Sequence, residues 1–157
     1  MGLRNILTDQ ESALHKTCRP VTAFDRKLHK LLDDMQETLI QANGVGLAAP
    51  QVGILRRVVL VDTGEEILEL INPTLVETDG EQVGPEGCLS VPGRYGLVKR
   101  PYYAKVRAQD RYGDWYEVEG EELIARCFCH ELDHLDGILY TQVMERFLTD
   151  EELEADE

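Results

Sequence analysis

His130-Glu131-Leu132-Asp133-His134 spells H-E-x-x-H, and its flanks have helical spacing. Residues four apart on an α-helix lie one above the other on the same face, so the two imidazoles point at a common spot. Two neutral imidazoles so placed can hold one divalent transition metal. Glu131 lies about 100° further round, given about 3.6 residues per turn. From there it can exchange a proton with a water at the metal. The chemistry suggested is metal-assisted hydrolysis with a built-in proton shuttle.

A third ligand is needed. The extended pattern H-E-x-x-H-x-x-G-x-x-H starts correctly at Gly137 but ends on Tyr140 rather than histidine. A glutamate on a later helix is the other common solution. The chain after His134 is short, however, and residues 149–157 are an acidic run with little to bury. The third ligand is therefore expected upstream, among four cysteines. Cys18 lies among Lys16, Arg19 and Pro20 and reads as structural. Cys129 points off the ligand face. Cys127 shares that face and reads as pocket lining, with a ligand role as the alternative. Cys88 stands in Glu86-Gly87-Cys88-Leu89-Ser90, framed by Gly84-Pro85 and Pro92-Gly93. Such framing marks an irregular segment with free backbone amides. Its thiolate would complete a Cys-His-His set; a buried free cysteine is the bland alternative.

A further segment, Gly44-Val45-Gly46-Leu47-Ala48-Ala49-Pro50-Gln51, reads as a helix cap at Gly44 and a close backbone approach at Gly46. Gln51 adds an amide donor suited to an oxyanion. Taken together and in this order, G-V-G-L-A-A-P-Q, E-G-C-L-S and H-E-L-D-H resemble the signatures of the peptide deformylase family at every fixed position. The resemblance extends over roughly residues 3–140.

The resemblance implies Cys88, His130 and His134 as metal ligands and Glu131 as general acid/base. Gln51 and the backbone N–H of Leu89 correspond to the oxyanion donors. Val45, Gly46 and Gly87 match positions that hold the substrate's peptide chain. Glu86 and Cys127 match positions near the methionine pocket. The implied activity is removal of the formyl group from the N-terminal formylmethionine of newly made polypeptides. One divalent metal is implied, iron(II) natively, with zinc, nickel or cobalt able to replace it in preparations. Three features depart from common family patterns. Cys129 stands where glutamine often precedes the first histidine. Arg94 and Tyr95 stand near a position often held by arginine, with no role assigned. A short acidic tail replaces a long C-terminal helix, which bears on ribosome docking.

Two other readings compete. H-E-x-x-H alone would favour a metallopeptidase, and a closed structural site would need Cys127 as a fourth ligand. The formyl group is the smallest acyl group, so a tight cavity would exclude acetyl. A pocket lined by Val45, Leu123 and Cys127 would take an unbranched thioether, with tolerance for other apolar side chains, since one methylene is worth about 1–3 kcal/mol.

The positioning elements are legible in part. Glu121 and Glu122 read as the first turn of the motif helix. Leu123, Ile124, Cys127, Phe128, Leu132 and Leu135 give its periodicity, and Gly137 follows as its stop. Asp133 faces away from the metal and should bond elsewhere. Thr22-Ala23-Phe24-Asp25 reads as a capping box for a helix running to about Ala42, with Leu28, Leu31, Leu32, Met35 and Leu39 buried. His29 is expected to be exposed on that helix, and His15 lies in a polar stretch. Strands are expected at 57–63 and 67–72 around Gly64, and at 104–110 and 115–119 around Tyr112-Gly113-Asp114. The fold class is α+β: antiparallel or mixed sheets packed around the C-terminal motif helix, with an N-terminal helix. Residues 1–148 are expected to form one catalytic domain and 149–157 a short acidic tail.

The chain's 157 residues suit a single core. Thirty acids against 16 bases give a net charge of −14, which argues against direct nucleic-acid binding or an anionic membrane surface. The expected partners are nascent formylated peptides, with transient ribosome contact and a monomeric enzyme. The start of the chain lacks the apolar core of a signal peptide. No run of about 20 apolar residues is present. Four cysteines outside a small disulfide scaffold fit a reducing cytoplasm.

Overall fold

The computed structural model describes residues 2–155. Helix α1 spans Arg26–Ala42. Eight strands follow or flank it: β1 Gly46–Ala48, β2 Val58–Asp62, β3 Ile67–Asp79, β4 Gln82–Cys88, β5 Val91–Arg100, β6 Tyr103–Gln109, β7 Trp115–Glu121 and, late in the chain, β8 Arg146–Phe147. Helix α2, Leu123–Leu135, carries the H-E-L-D-H motif, and α3, Asp150–Ala155, comes last. A five-stranded antiparallel sheet has the order β1-β2-β3-β6-β7, and a three-stranded one the order β4-β5-β8.

The large sheet is buried on both faces where β2 crosses it, because Val58-Val59-Leu60-Val61 is apolar without interruption. Val58, Leu60, Leu47 and Ile71 pack on the Leu28, Leu31, Leu32, Met35 and Leu39 stripe of α1. Val59 and Val61 point the other way, with Leu70, Val106 and Ala108, and pack on Ala125, Phe128 and Leu135 of α2. Alternation along one strand thus places α1 and α2 on opposite faces. The motif helix lies between the two sheets, which is why its polar residues are buried.

The caps differ from the sequence expectation. Asp25, not Thr22, caps α1, accepting from Leu28 N at 3.1 Å. At the other end Asn43, not Gly44, takes the left-handed conformation, at φ 56°; Gly44 N–H closes onto Leu39 O at 3.2 Å. Glu121 and Glu122 are not the first turn of α2. Glu121 ends β7, and Glu122 is the N-cap at φ 54°, held by Tyr102 O at 2.8 Å. Gly137, at φ 77°, follows the end of α2 as expected; a Cβ there would lie 2.7 Å from His15 C.

The expected strands form, and β3 runs past Asn72 to Asp79. Asn72 is left-handed at φ 52° and Pro73 follows, so the ladder is interrupted and then resumes with a register shift. The Gly/Pro-framed segment around Cys88 is not irregular. It is the β4–β5 hairpin, with Cys88 ending β4 beside a register shift. Pro85 is tolerated because β4 is an edge strand. His29 is half-buried, with Nε2 2.8 Å from Arg111 O. In the acidic tail, Thr149 and Glu152 cap each other reciprocally and Glu152 pairs with Arg146 at 2.7 Å, which starts α3. Residues 156–157 of that tail lie outside the described residues. No helix among the described residues is long and apolar enough to cross a membrane.

Candidate metal centre

Helix α2 delivers His130, Glu131 and His134, all buried. The end of β4 delivers Cys88. His134 Nε2 stands 3.2 Å from His130 Nε2 and 3.4 Å from Cys88 Sγ, and the three donor atoms lie within 4.8 Å of one another. Donors bonded tetrahedrally at about 2.0–2.3 Å stand about 3.3–3.6 Å apart, so the cluster is the size a single ion requires. Three protein ligands, rather than four, is the pattern of catalytic zinc-type sites. Cys127 is not part of the cluster.

The surroundings orient the ligands. His130 Nδ1 donates to Glu86 Oε2 at 2.6 Å, which fixes its proton on Nδ1 and turns the Nε2 lone pair inward. Glu86 is held in turn by Arg100, through Nε at 3.0 Å and Nη2 at 2.6 Å, and by Arg126 Nη1 at 3.0 Å. Burial alone would raise the Glu86 carboxyl; hydrogen bonds from His130 and Arg100 outweigh it and hold the carboxyl at about 2. Asp133 faces away from the cluster and accepts from Arg100 Nη1 at 2.8 Å. His130 also stacks on Tyr140, with ring centroids 6.3 Å apart.

Glu131 is only 3 % exposed, and its Oε1 has no hydrogen-bond partner among the described residues. Burial pushes its carboxyl up to about 7, against the pull of His130. Its Oε2 lies 3.9 Å from His130 Nε2. Gly46 is essential to this placement, because a Cβ there would stand 2.5 Å from Glu131 Oε2 and 2.8 Å from Cys127 Sγ. Burial likewise raises the Cys127 thiol well above its usual range, so it stays neutral. Burial raises Cys129 to about 11 on the far side of the helix and does the same to Cys18.

Gln51 sits in a short 3-10 turn, Ala49–Val52. Its Oε1 accepts from Ala48 N at 2.9 Å, which aims Nε2 at Ser90 Oγ (3.0 Å) and Cys88 Sγ (3.6 Å). Leu89 lies on the hairpin turn beside Cys88. A cavity of about 460 Å³ opens on the cluster. Val45, Gly46, Glu86, Gly87 and Cys127 all line it, with Gln51, Cys88, Leu89, Leu123, His130 and Glu131. The Glu86 carboxylate turns away to its arginines. Tyr95 lines the mouth, whereas Arg94 stacks 4.1 Å above the Phe147 ring.

Sequence reasoning missed Arg100, Arg126 and Ser90. Nothing local marks Arg100. Arg126 carried a signal, since it shares the helical stripe Leu123, Cys127, His130 that lines the cavity.

Residues 3–149 match a family model described as polypeptide deformylase. The peptide deformylase of Agathobacter rectalis is 56% identical over 150 residues, covering 96% of this chain and 95% of that one. That of Caldanaerobacter subterraneus is 53% identical over 155 residues, covering 99% and 98%. The crystal structure of the peptide deformylase from Thermotoga maritima superposes with a TM-score of 0.88 at 40% identity, over 91% of this chain and 98% of that one. A Synechococcus elongatus peptide deformylase in complex with actinonin also gives 0.88, at 35% identity over 97% and 82%.

Proposed function

Because this chain belongs to the polypeptide deformylase family, a group of metal-dependent hydrolases that remove the formyl group from N-terminal formylmethionine, we propose the following assignment of its residues. Cys88, His130 and His134 hold one divalent cation. Glu131 is the general acid/base, and Gln51 with the Leu89 N–H receives the oxyanion. The observation that carries this is the cluster of three donor atoms within 4.8 Å, beside a buried carboxyl, at the floor of a cavity.

A cation held there supplies Lewis acidity, polarising the formyl carbonyl and making water a better nucleophile near neutral pH. Glu131 accepts the proton of the attacking water. It then donates that proton to the leaving nitrogen as the C–N bond breaks, giving formate and a free α-amine. Burial, which favours the protonated form of the Glu131 carboxyl, supports the second half of the transfer. Gln51 Nε2 is pre-aimed by the Ala48 bond and exchanges Ser90 for the developing oxyanion; such a donor is worth about 10²–10³ in rate. Glu86 keeps His130 in the tautomer that offers Nε2. Val45, Gly46 and Gly87 line the path of the peptide chain, and Val45, Leu123 and Cys127 receive the methionine side chain.

The thiolate and imidazole set suits iron(II) or zinc. Iron(II) is the native metal in this reading, with zinc, nickel or cobalt able to replace it; the thiolate makes the ferrous form oxygen-sensitive. The enzyme acts as a cytoplasmic monomer on nascent chains. With a net charge of −14, its contact with the ribosome is transient. The test is anaerobic purification with metal analysis, then formate release from formyl-Met, formyl-Leu and acetyl-Met peptides. Formyl-Met should be preferred and acetyl-Met inert. Absence of formate release by metal-replete protein overturns the assignment.

A further inference from the structure

We propose that Arg126 lets this site accept peptides whose N-terminal residue is formylmethionine sulfoxide, by donating a guanidinium N–H to the sulfoxide oxygen inside the side-chain pocket. This rests on the substrate reading above.

Arg126 belongs to the same α2 stripe as Leu123, Cys127 and His130, and lines the same cavity. The residue is 6 % exposed. Its Nη1 is committed, donating to Glu86 Oε1 at 3.0 Å and Val98 O at 3.1 Å. Its Nε and Nη2 make no hydrogen bond to any described residue, although a guanidinium carries five N–H donors. Nη2 lies over Gly84, where a Cβ would stand 3.4 Å away. The cavity lined by Val45, Leu123 and Cys127 is thus also lined by a guanidinium that keeps spare donors.

The thioether of methionine is a weak acceptor and leaves those donors without a strong partner. A sulfoxide keeps the length and unbranched shape of methionine and adds a strong neutral acceptor. In a wholly apolar pocket that oxygen would lose its water without replacement and bind poorly. Here the guanidinium replaces the water. A side-chain carboxylate is a worse match, because Glu86 already supplies the negative partner 3.0 Å from Nη1. The sulfoxide sulfur is also a stereocentre, so a donor fixed on one wall should distinguish its two epimers.

The test compares kcat/KM of the metal-replete enzyme on formyl-Met, formyl-norleucine and the two separated formyl-Met-sulfoxide epimers of one peptide. The better epimer is expected within about tenfold of formyl-Met, and the two epimers should differ. In Arg126→Leu every substrate slows, since Glu86 and hence His130 lose support. The sulfoxide-to-methionine ratio should fall a further tenfold or so, the scale of one charge-assisted hydrogen bond, mainly through KM. Arg126→Lys, which preserves the charge, should move the ratio the same way by less. A purely structural role would slow all substrates equally and leave the ratio unchanged. That result overturns the proposal, as does rejection of both epimers by the unaltered enzyme by more than about a hundredfold, the discrimination an apolar pocket shows against an added polar group. Failure to hydrolyse formyl-Met would instead overturn the activity itself.

Discussion

Replacing Gly46 by alanine adds one methyl group where the structure has no room for it. The new Cβ would lie 2.5 Å from Glu131 Oε2 and 2.8 Å from Cys127 Sγ. To reach an ordinary contact of 3.4 Å, the Glu131 oxygen must retreat by about 0.9 Å, the difference between those distances. Glu131 is buried on a helix packed between two sheets, so the retreat falls on its own side chain rather than on α2. A displacement of about 1 Å in a catalytic group costs roughly 10²-fold in rate. Gly46 has no left-handed φ to lose, so the fold should tolerate alanine. The assay is kcat on a formyl-Met peptide, measured with metal stoichiometry and thermal unfolding. The expected result is a kcat about a hundredfold lower, with one metal per chain retained and a small change in Tm. Unchanged kcat in a folded, loaded variant would refute the placement of Glu131 against β1.

Cys88→Ala should lose tight metal binding and activity together, read by metal analysis after dialysis; metal retained without Cys88 would contradict the ligand set. Glu131 titrates near 7 when folded against an ordinary 4.5, so the folded state holds its proton longer. The metal-free protein should therefore have this extra stability in full below pH 4.5 and lose it as pH rises through about 7, whereas Glu131→Gln should lack that dependence in denaturant titrations. Glu86 has the opposite sign: held at about 2 against 4.5, it stabilises above pH 4.5 and that contribution is lost as pH falls through about 2. Glu86→Gln should flatten the acid limb of the stability curve and weaken metal affinity about 10–100-fold, the usual effect of removing a histidine's supporting partner.

The residues proposed to hold a metal or carry a proton were legible because chemistry restricts them to few types at fixed spacing. His130, Glu131 and His134 follow from helical period alone. Local order also revealed α1, whose leucine stripe is strong, and the β2–β3 and β6–β7 hairpins, whose turns are marked by Gly64 and Gly113. The β4–β5 hairpin stayed hidden because Gly84, Pro85, Gly87, Pro92 and Gly93 have poor strand propensity. Its pairing comes from strand-to-strand hydrogen bonds that no local pattern encodes.

What only the tertiary structure decided is how distant groups meet. Cys88 and His134 are 46 positions apart, yet their donor atoms come within 3.4 Å because β2 is buried on both faces, with α2 packed on one of them and the end of β4 brought over α2. Glu86 became the support of His130 for the same reason, with Arg100 and Arg126 recruited because a buried carboxylate needs its charge matched. A helix's period fixes which side chains share a face. What stands opposite that face depends on long-range packing, and there the chain order carries no direct signal.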